Sequence, residues 1–246
     1  MRFAVRLEHV SKSFGGRPVL DDVSFEVPEG EGFVILGRSG TGKSVTLKHI
    51  IGLMRPDSGR VFVGGDEISA LSGTALSRVR TRMGFLFQNA ALFDSISVGE
   101  NVAFPLRRHT RLHESEITSR ARAKLAAVGL EHEYEKMPAD LSGGMRKRAG
   151  LARALALDPA ILLVDEPSAG LDPVTSEEID DLLLGLKRHG GTTLIAVTHN
   201  IASARKLGDE LVMLHEGRIV ARGTVQEFER SPHELVAAFM RSEHAG

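Results

Sequence analysis

One loop, two acids and a histidine carry the residue types that could do chemistry in this chain. Gly37, Arg38, Ser39, Gly40, Thr41, Gly42, Lys43 and Ser44 place three glycines where a backbone can curl until successive N–H groups point inward at an anion. The loop follows the apolar run Phe33 to Leu36 and opens a segment at helical spacing, so a helix would add its positive dipole end to the anion nest. Lys43 is then placed to reach the β- and γ-phosphates of ATP, and the Ser44 hydroxyl to ligate Mg2+. Without its flanking strand and helix, the same stretch would read as a glycine-rich turn with a surface lysine.

Asp165 and Glu166 end the apolar run Ile161 to Val164. In an α/β sheet, ligands sit at the carboxyl ends of strands. Asp165 suits the Mg2+ shell, and Glu166 suits the group that accepts a hydrogen bond from the attacking water. Alone, these acids read equally well as solvated turn residues; the phosphate loop is what shifts the balance. His199 follows another apolar run, Leu194 to Val197, and Gln88 lies between the phosphate loop and Leu141-Ser142-Gly143-Gly144-Met145. Each has a plain structural reading: Gln88 as a loop residue, His199 as a strand-end cap, Ser142 and Asp172 as helix N-caps.

The elements that must position these residues are legible in outline. Val5, Leu7, Val23, Phe25 and Val27 alternate with polar residues, which predicts half-buried antiparallel strands. The uninterrupted runs at 33–36, 161–164 and 194–197 predict strands covered on both faces in a parallel sheet. Leu47, Ile50, Ile51 and Met54 recur at helical spacing, as do Ile179, Leu182, Leu183 and Leu186, the latter behind Asp172 and Pro173 as N-cap and first-turn residues. In the middle third, a helix over Glu114 to Val128 closed by Gly129 and a second over Arg146 to Leu157 predict a helical insertion. Leu211 to Leu214 and Arg218 to Ala221 predict a hairpin, and Ser231, Pro232 and Glu234 the start of a final helix.

Composition narrows the function classes. A net charge of −1 over 246 residues argues against broad attraction to nucleic acid or to an anionic membrane. With no cysteine there is no disulfide framework and no thiol nucleophile. Met1 to Val10 lack the apolar core of a secretion signal, and no stretch approaches the roughly 18 apolar residues that span a bilayer.

Taken as an ordered set, the motifs resemble those of the ATP-binding-cassette (ABC) family. Leu141 to Met145 match the family signature Leu-Ser-Gly-Gly-Gln in four of five positions, and Gln88, Ser168 to Asp172 and His199 resemble its Q-loop, D-loop and switch histidine. The resemblance covers essentially the whole chain. It implies an α/β P-loop NTPase cassette with a parallel-sheet core, an N-terminal antiparallel β subdomain and a helical insertion. The expected organisation is one ATPase unit over residues 1–246, with core and β subdomain at about 1–88 and 159–246 and helical subdomain at about 89–158. It also implies a head-to-tail homodimer in which Ser142, Gly143 and Gly144 of one copy meet the γ-phosphate held by Lys43 of the other. Gln88 would sense metal and water, and Phe14 would stack on adenine. Phe14 reads alternatively as a core residue beside Gly15.

Within the family, Phe87 to Val98 with Asn101 to Leu106, and Met145 in the signature, resemble the ATPases of Mla/Mce-type phospholipid transporters. That implies a peripheral subunit on the cytoplasmic face of the bacterial inner membrane, with a separate permease as partner. An Mce-domain substrate-binding protein and a STAS-domain protein are further partners of that type; nucleic acid is not. Leu92, Phe93 and Phe104 are candidates for gripping the permease, or for packing the helical insertion. Met145 lacks the glutamine amide, but the implied phosphate contacts run through Ser142 and Gly144, so activity is expected to survive. Arg38 in place of a commoner proline has no reading. Methionine-importer ATPases are the nearest alternative, and soluble non-transport ABC ATPases a more distant one.

Overall fold

Alternating apolar residues at the N-terminus become two long antiparallel strands in the computed structural model, which describes residues 2–241. In β1 (Phe3–Phe14) and β2 (Arg17–Pro28), Val5 lies opposite Val27 and Leu7 opposite Phe25. Successive side chains point to opposite faces, so these four and Val23 are buried while Ser24 and Glu26 are exposed. β4 (Ser58–Val63) pairs with the other edge of β1, and the short β5 (Asp66–Glu67) completes an antiparallel sheet in the order β2-β1-β4-β5.

The uninterrupted apolar runs form a second sheet: β3 (Gly32–Leu36), β6 (Met83–Leu86), β7 (Ile161–Asp165), β8 (Thr193–Thr198), β9 (Glu210–His215) and β10 (Arg218–Gly223), in the order β10-β9-β3-β8-β7-β6. All neighbours run parallel except β9 and β10, the expected hairpin. Every residue of β3, β7 and β8 is buried. Phe33, Ile35, Leu163 and Ile195 face a core shared with the antiparallel sheet and α1 (Lys43–Ile50). Val34, Leu36, Leu162 and Val164 face a second core built on helices. Two covered faces are why these strands read as continuous apolar runs rather than as alternation.

Three α-helices and a short 3-10 turn at Pro138–Asp140 lie between β6 and β7 in the chain. α4 (Glu114–Ala126) ends two residues short of the expected Val128, with Gly129 at φ 70° closing it. α5 (Gly143–Ala154) starts before the expected Arg146, because the Ser142 hydroxyl caps it by accepting from Met145 N at 3.2 Å, and it stops before Leu157. α3 (Val98–His109) was not foreseen; Pro105 within it breaks the helical reading yet costs only one backbone bond here. Buried Asn101 ties the start of α3 to the preceding loop, accepting from Phe93 N at 2.7 Å and donating to the carbonyls of Phe93 and Ser97, both at 3.0 Å.

Around the sheet lie α2 (Gly73–Arg80), α6 (Pro173–Gly190), α7 (Ile201–Leu207), α8 (Val225–Glu229) and α9 (Glu234–Arg241). Asp172 caps α6 as expected, accepting from Thr175 N at 3.0 Å. Before α9 the Ser231 hydroxyl accepts from His233 N at 3.3 Å. Met1 and residues 242–246 of the expected unit lie outside the described residues. Among the described residues, no helix is long and apolar enough to cross a membrane.

Candidate active site

The loop between β3 and α1 needs glycine for steric reasons. At Gly42, φ is 103° and a Cβ would lie 2.7 Å from the carbonyl oxygen of Val19. Gly37, at φ 155°, would bring a Cβ to 2.4 Å from the carbonyl oxygen of Leu214. The loop closes on itself: Thr41 Oγ1 donates to the Arg38 carbonyl at 2.9 Å, and Lys43 Nζ donates to the Gly37 and Arg38 carbonyls at 2.8 and 3.0 Å. Lys43 is almost fully buried, with its Nζ also 3.3 Å from Glu166 Oε1.

The parallel pairing of β3, β8 and β7 sets the ends of these strands side by side. Ser44 Oγ donates to Asp165 Oδ1 at 2.8 Å, across 121 residues of sequence. Burial raises the Asp165 carboxyl above its ordinary range, and the Ser44 hydroxyl bond opposes that rise. Two hard oxygens at this spacing fit neighbouring positions around a small octahedral cation, whose cis ligands at about 2.0–2.1 Å bonds lie about 2.9 Å apart. Among the described residues, no cluster of three or more histidines and acids could hold a metal alone.

Glu166 sits just past β7 at φ 47°, in the left-handed region that a residue with a side chain rarely adopts. Its N–H donates to the Val197 carbonyl at 2.9 Å, and its carbonyl accepts from Lys147 Nζ at 3.0 Å. Its Oε2 accepts from the Nδ1 of His199 at 2.8 Å and from the backbone N–H of His199 at 3.3 Å. Gln88, Glu166 and His199 line one cavity of about 490 Å³ together with Arg38, Ser39, Gly40, Gly42, Lys43 and Ser44. A glycine-rich loop, a carboxylate and a histidine thus face one space, an arrangement chemically able to bind a polyphosphate and orient water beside it.

Other expected site residues lie elsewhere. Ser142, Gly143 and Gly144 open α5 outside this cavity, and a Cβ on Gly144 would lie 2.5 Å from Thr175 Cγ2, so the start of α5 rests against the start of α6. Ser168 is buried in the turn before Asp172, its carbonyl accepting from Leu171 N at 3.2 Å. Phe14 is 44% exposed with Lys12 Nζ 5.6 Å from its ring centre. It does not line the cavity, and the alternative reading of Phe14 as a core residue is wrong, because the end of β1 runs out into solvent.

Several residues at the site escaped the sequence reading. Val19, Val45, Ala238 and Phe239 complete the cavity wall, and the last two belong to α9, far away in sequence. Lys147 is almost fully buried; its only signal was a place three residues after Gly144 and four before Leu151, on the buried face of α5. Burial lowers its pKa, against the pull of Asp165 and Glu166. Arg153 donates to the carbonyls of Ala90 and Ala91, at 2.8 and 2.7 Å, and so braces two residues at φ 58° and 50° just after Gln88. Nearby, Phe87, Phe93, Phe104 and Pro105 line an apolar groove of about 370 Å³. The Phe93 and Phe104 rings pack 5.1 Å apart and are 45% and 46% exposed, whereas Leu92 packs against the helical core.

A family model described as ABC transporter matches residues 20–169. The "Probable ribonucleotide transport ATP-binding protein mkl" of Mycobacterium leprae (strain TN) is 43% identical over 246 residues, all of this chain and 71% of that protein. The intermembrane phospholipid transport system ATP-binding protein MlaF of Escherichia coli (strain K12) is 39% identical over 236 residues, 96% of this chain and 88% of that protein. The methionine import ATP-binding protein MetN of Caulobacter vibrioides is 42% identical over 225 residues, 91% of this chain and 68% of that protein. A solved dimeric ATP-binding cassette, MJ0796 in a post-hydrolysis state bound to ADP and Pi, superposes with a TM-score of 0.84 at 34% identity, covering 90% of this chain and 98% of that one.

Proposed function

We propose, for a chain that belongs to the ABC transporter family and serves as the ATP-hydrolysing component of a transporter, that it powers phospholipid movement and that Glu166 orients the attacking water. The observation that carries the catalytic part is the single cavity shared by Lys43, Glu166 and His199. Its geometry suits phosphoryl transfer, which depends on positioning and charge stabilisation more than on covalent help.

The phosphate loop N–H groups cradle the β- and γ-phosphates, and Lys43 turns from the loop carbonyls toward them. Ser44 and Asp165, with Gln88 completing the shell, would hold Mg2+, which would supply charge to offset that of the phosphate oxygens. Glu166 accepts a hydrogen bond from the attacking water, and His199 holds the Glu166 carboxylate in place while reaching the γ-phosphate. Ser142 and Gly144 lie outside the cavity of their own chain, which supports their serving the nucleotide of a second copy in a head-to-tail dimer. ATP then closes the dimer and hydrolysis reopens it. Ser168 and Asp172 shape the D-loop at that interface, and Phe14 stacks on adenine.

On this reading the apolar groove at Phe93 and Phe104 receives a cytoplasmic segment of a membrane permease, and the chain sits peripherally at the inner membrane. The phospholipid cargo is supported by the MlaF relative and by Met145 and the stretch Phe87 to Leu106. An Mce-domain protein and a STAS-domain protein are the further partners this reading assigns. The MetN relative favours methionine import as the second reading.

Glu166→Gln in the full chain is expected to lower ATP turnover at least about 100-fold while ATP binding persists and an ATP-bound dimer accumulates on gel filtration. Turnover at the wild-type rate removes Glu166 from this role. For the cargo, the chain purified with its permease is expected to carry phospholipid detectable by mass spectrometry. ATPase stimulated by methionine, with no bound lipid, sinks the phospholipid reading.

A further inference from the structure

We propose that Lys147 is a positioning residue for Glu166, clamping its peptide from the helical side so that the carboxylate faces the nucleotide. An ammonium group this deeply buried is expensive unless it meets a partner, and this one donates to the Glu166 carbonyl at 3.0 Å. Glu166 is a residue whose orientation needs support, since φ 47° is unfavourable for any side chain but glycine's hydrogen.

Its peptide is held from two directions. From the sheet, the Val197 carbonyl accepts from the Glu166 N–H at 2.9 Å; the Glu166 carbonyl accepts from Lys147 Nζ on α5 at 3.0 Å and, over a longer distance, from the Ala169 N–H of its own turn at 3.2 Å. Removing Lys147 leaves the carbonyl only the longer bond from its own turn, which can move with it, so the residue relaxes toward ordinary dihedrals and the carboxylate swings away from His199. The same bond joins two parts of the molecule. α5 is capped by Ser142, which on the reading above meets the nucleotide of the second copy, and Lys147 lies just over one turn along the helix. A shift of α5 when the dimer closes therefore reaches the Glu166 peptide directly, aligning the carboxylate only when the start of the helix is seated on that nucleotide.

This inference rests on Glu166 as the water-orienting group, and the two fail differently. Steady-state ATP turnover, ATP affinity by titration calorimetry and thermal melting are measured on the full chain for Lys147→Met, Lys147→Arg and Glu166→Gln. Lys147→Met removes the donor at nearly constant length; its kcat is expected to fall about 10- to 100-fold, the cost of a misplacement near one ångström, with ATP affinity and melting unchanged. Lys147→Arg, which keeps a charged donor, is expected to recover kcat to within about threefold of wild type. Wild-type kcat in Lys147→Met overturns the proposal. So do equal inactivity of the Met and Arg variants, and a loss of kcat that travels with lost ATP affinity or melting temperature. If Glu166→Gln itself turns over at the wild-type rate, the reading of the site fails first.

Discussion

The Nδ1 of His199 donates a 2.8 Å hydrogen bond to Oε2 of Glu166, joining two residues that follow neighbouring parallel strands 33 positions apart in sequence. Removing the ring leaves that oxygen, among the described residues, with only the longer 3.3 Å bond from the His199 backbone N–H. His199→Ala should lower kcat about 100-fold while ATP affinity stays within a few-fold of wild type. ATP affinity falling as far as kcat would show that His199 serves binding rather than the carboxylate.

Lys43 holds the glycine-rich loop shut from inside, bonding the Gly37 and Arg38 carbonyls, and on the proposed reading it turns to meet the nucleotide phosphates. Lys43→Ala should weaken ATP binding by about 10- to 100-fold, the worth of one or two charge-assisted hydrogen bonds. Titration calorimetry with ATP checks this, and an unchanged dissociation constant refutes the phosphate-loop reading.

The rings of Phe93 and Phe104 are roughly half exposed on an apolar groove whose arginine edge includes Arg153. Phe104→Ser removes apolar contact area without opening the core, so the isolated chain should keep its ATPase activity and melting temperature. Its recovery with the permease in a pull-down from detergent-solubilised membranes should drop severalfold. Undiminished recovery would move the permease contact elsewhere.

Asp180 is buried between α6 and α7, with Oδ2 accepting from Ser203 Oγ at 2.6 Å and Oδ1 unpaired among the described residues. Burial raises its pKa above the ordinary carboxylate value, against the Ser203 bond. The folded state thus binds the proton more tightly than the unfolded chain. Stability is lost as pH rises from the unfolded pKa through the raised folded value. Asp180→Asn should melt higher than wild type at pH 7.5, with the difference shrinking as pH falls toward 4. A gain that grows on acidification would contradict this.

Much of the site was legible because its information is local. Gly37 to Ser44 encode a strand, a tight anion-binding turn and a helix start within one contiguous segment, and Asp165 and Glu166 mark the end of a strand whose apolar run is visible without a fold. The start of α5 was placed late because the Ser142 hydroxyl draws both following glycines into the first turn, against their weak helix propensity. α3 stayed hidden because Pro105 reads as a breaker, whereas Asn101 and packed apolar neighbours outweigh its one missing bond.

The residue types for ATP chemistry, and the order in which they occur, were determined by the sequence alone. Only the tertiary structure decided that β7 and β3 both border β8, and so that Ser44 meets Asp165, that His199 meets Glu166, and that a lysine from α5 grips the Glu166 carbonyl. Turns and caps follow from the dihedral and hydrogen-bonding preferences of a few adjacent residues. Strand order and the burial of Lys147 follow from many weak packing contacts summed over two cores, which no short stretch of sequence contains.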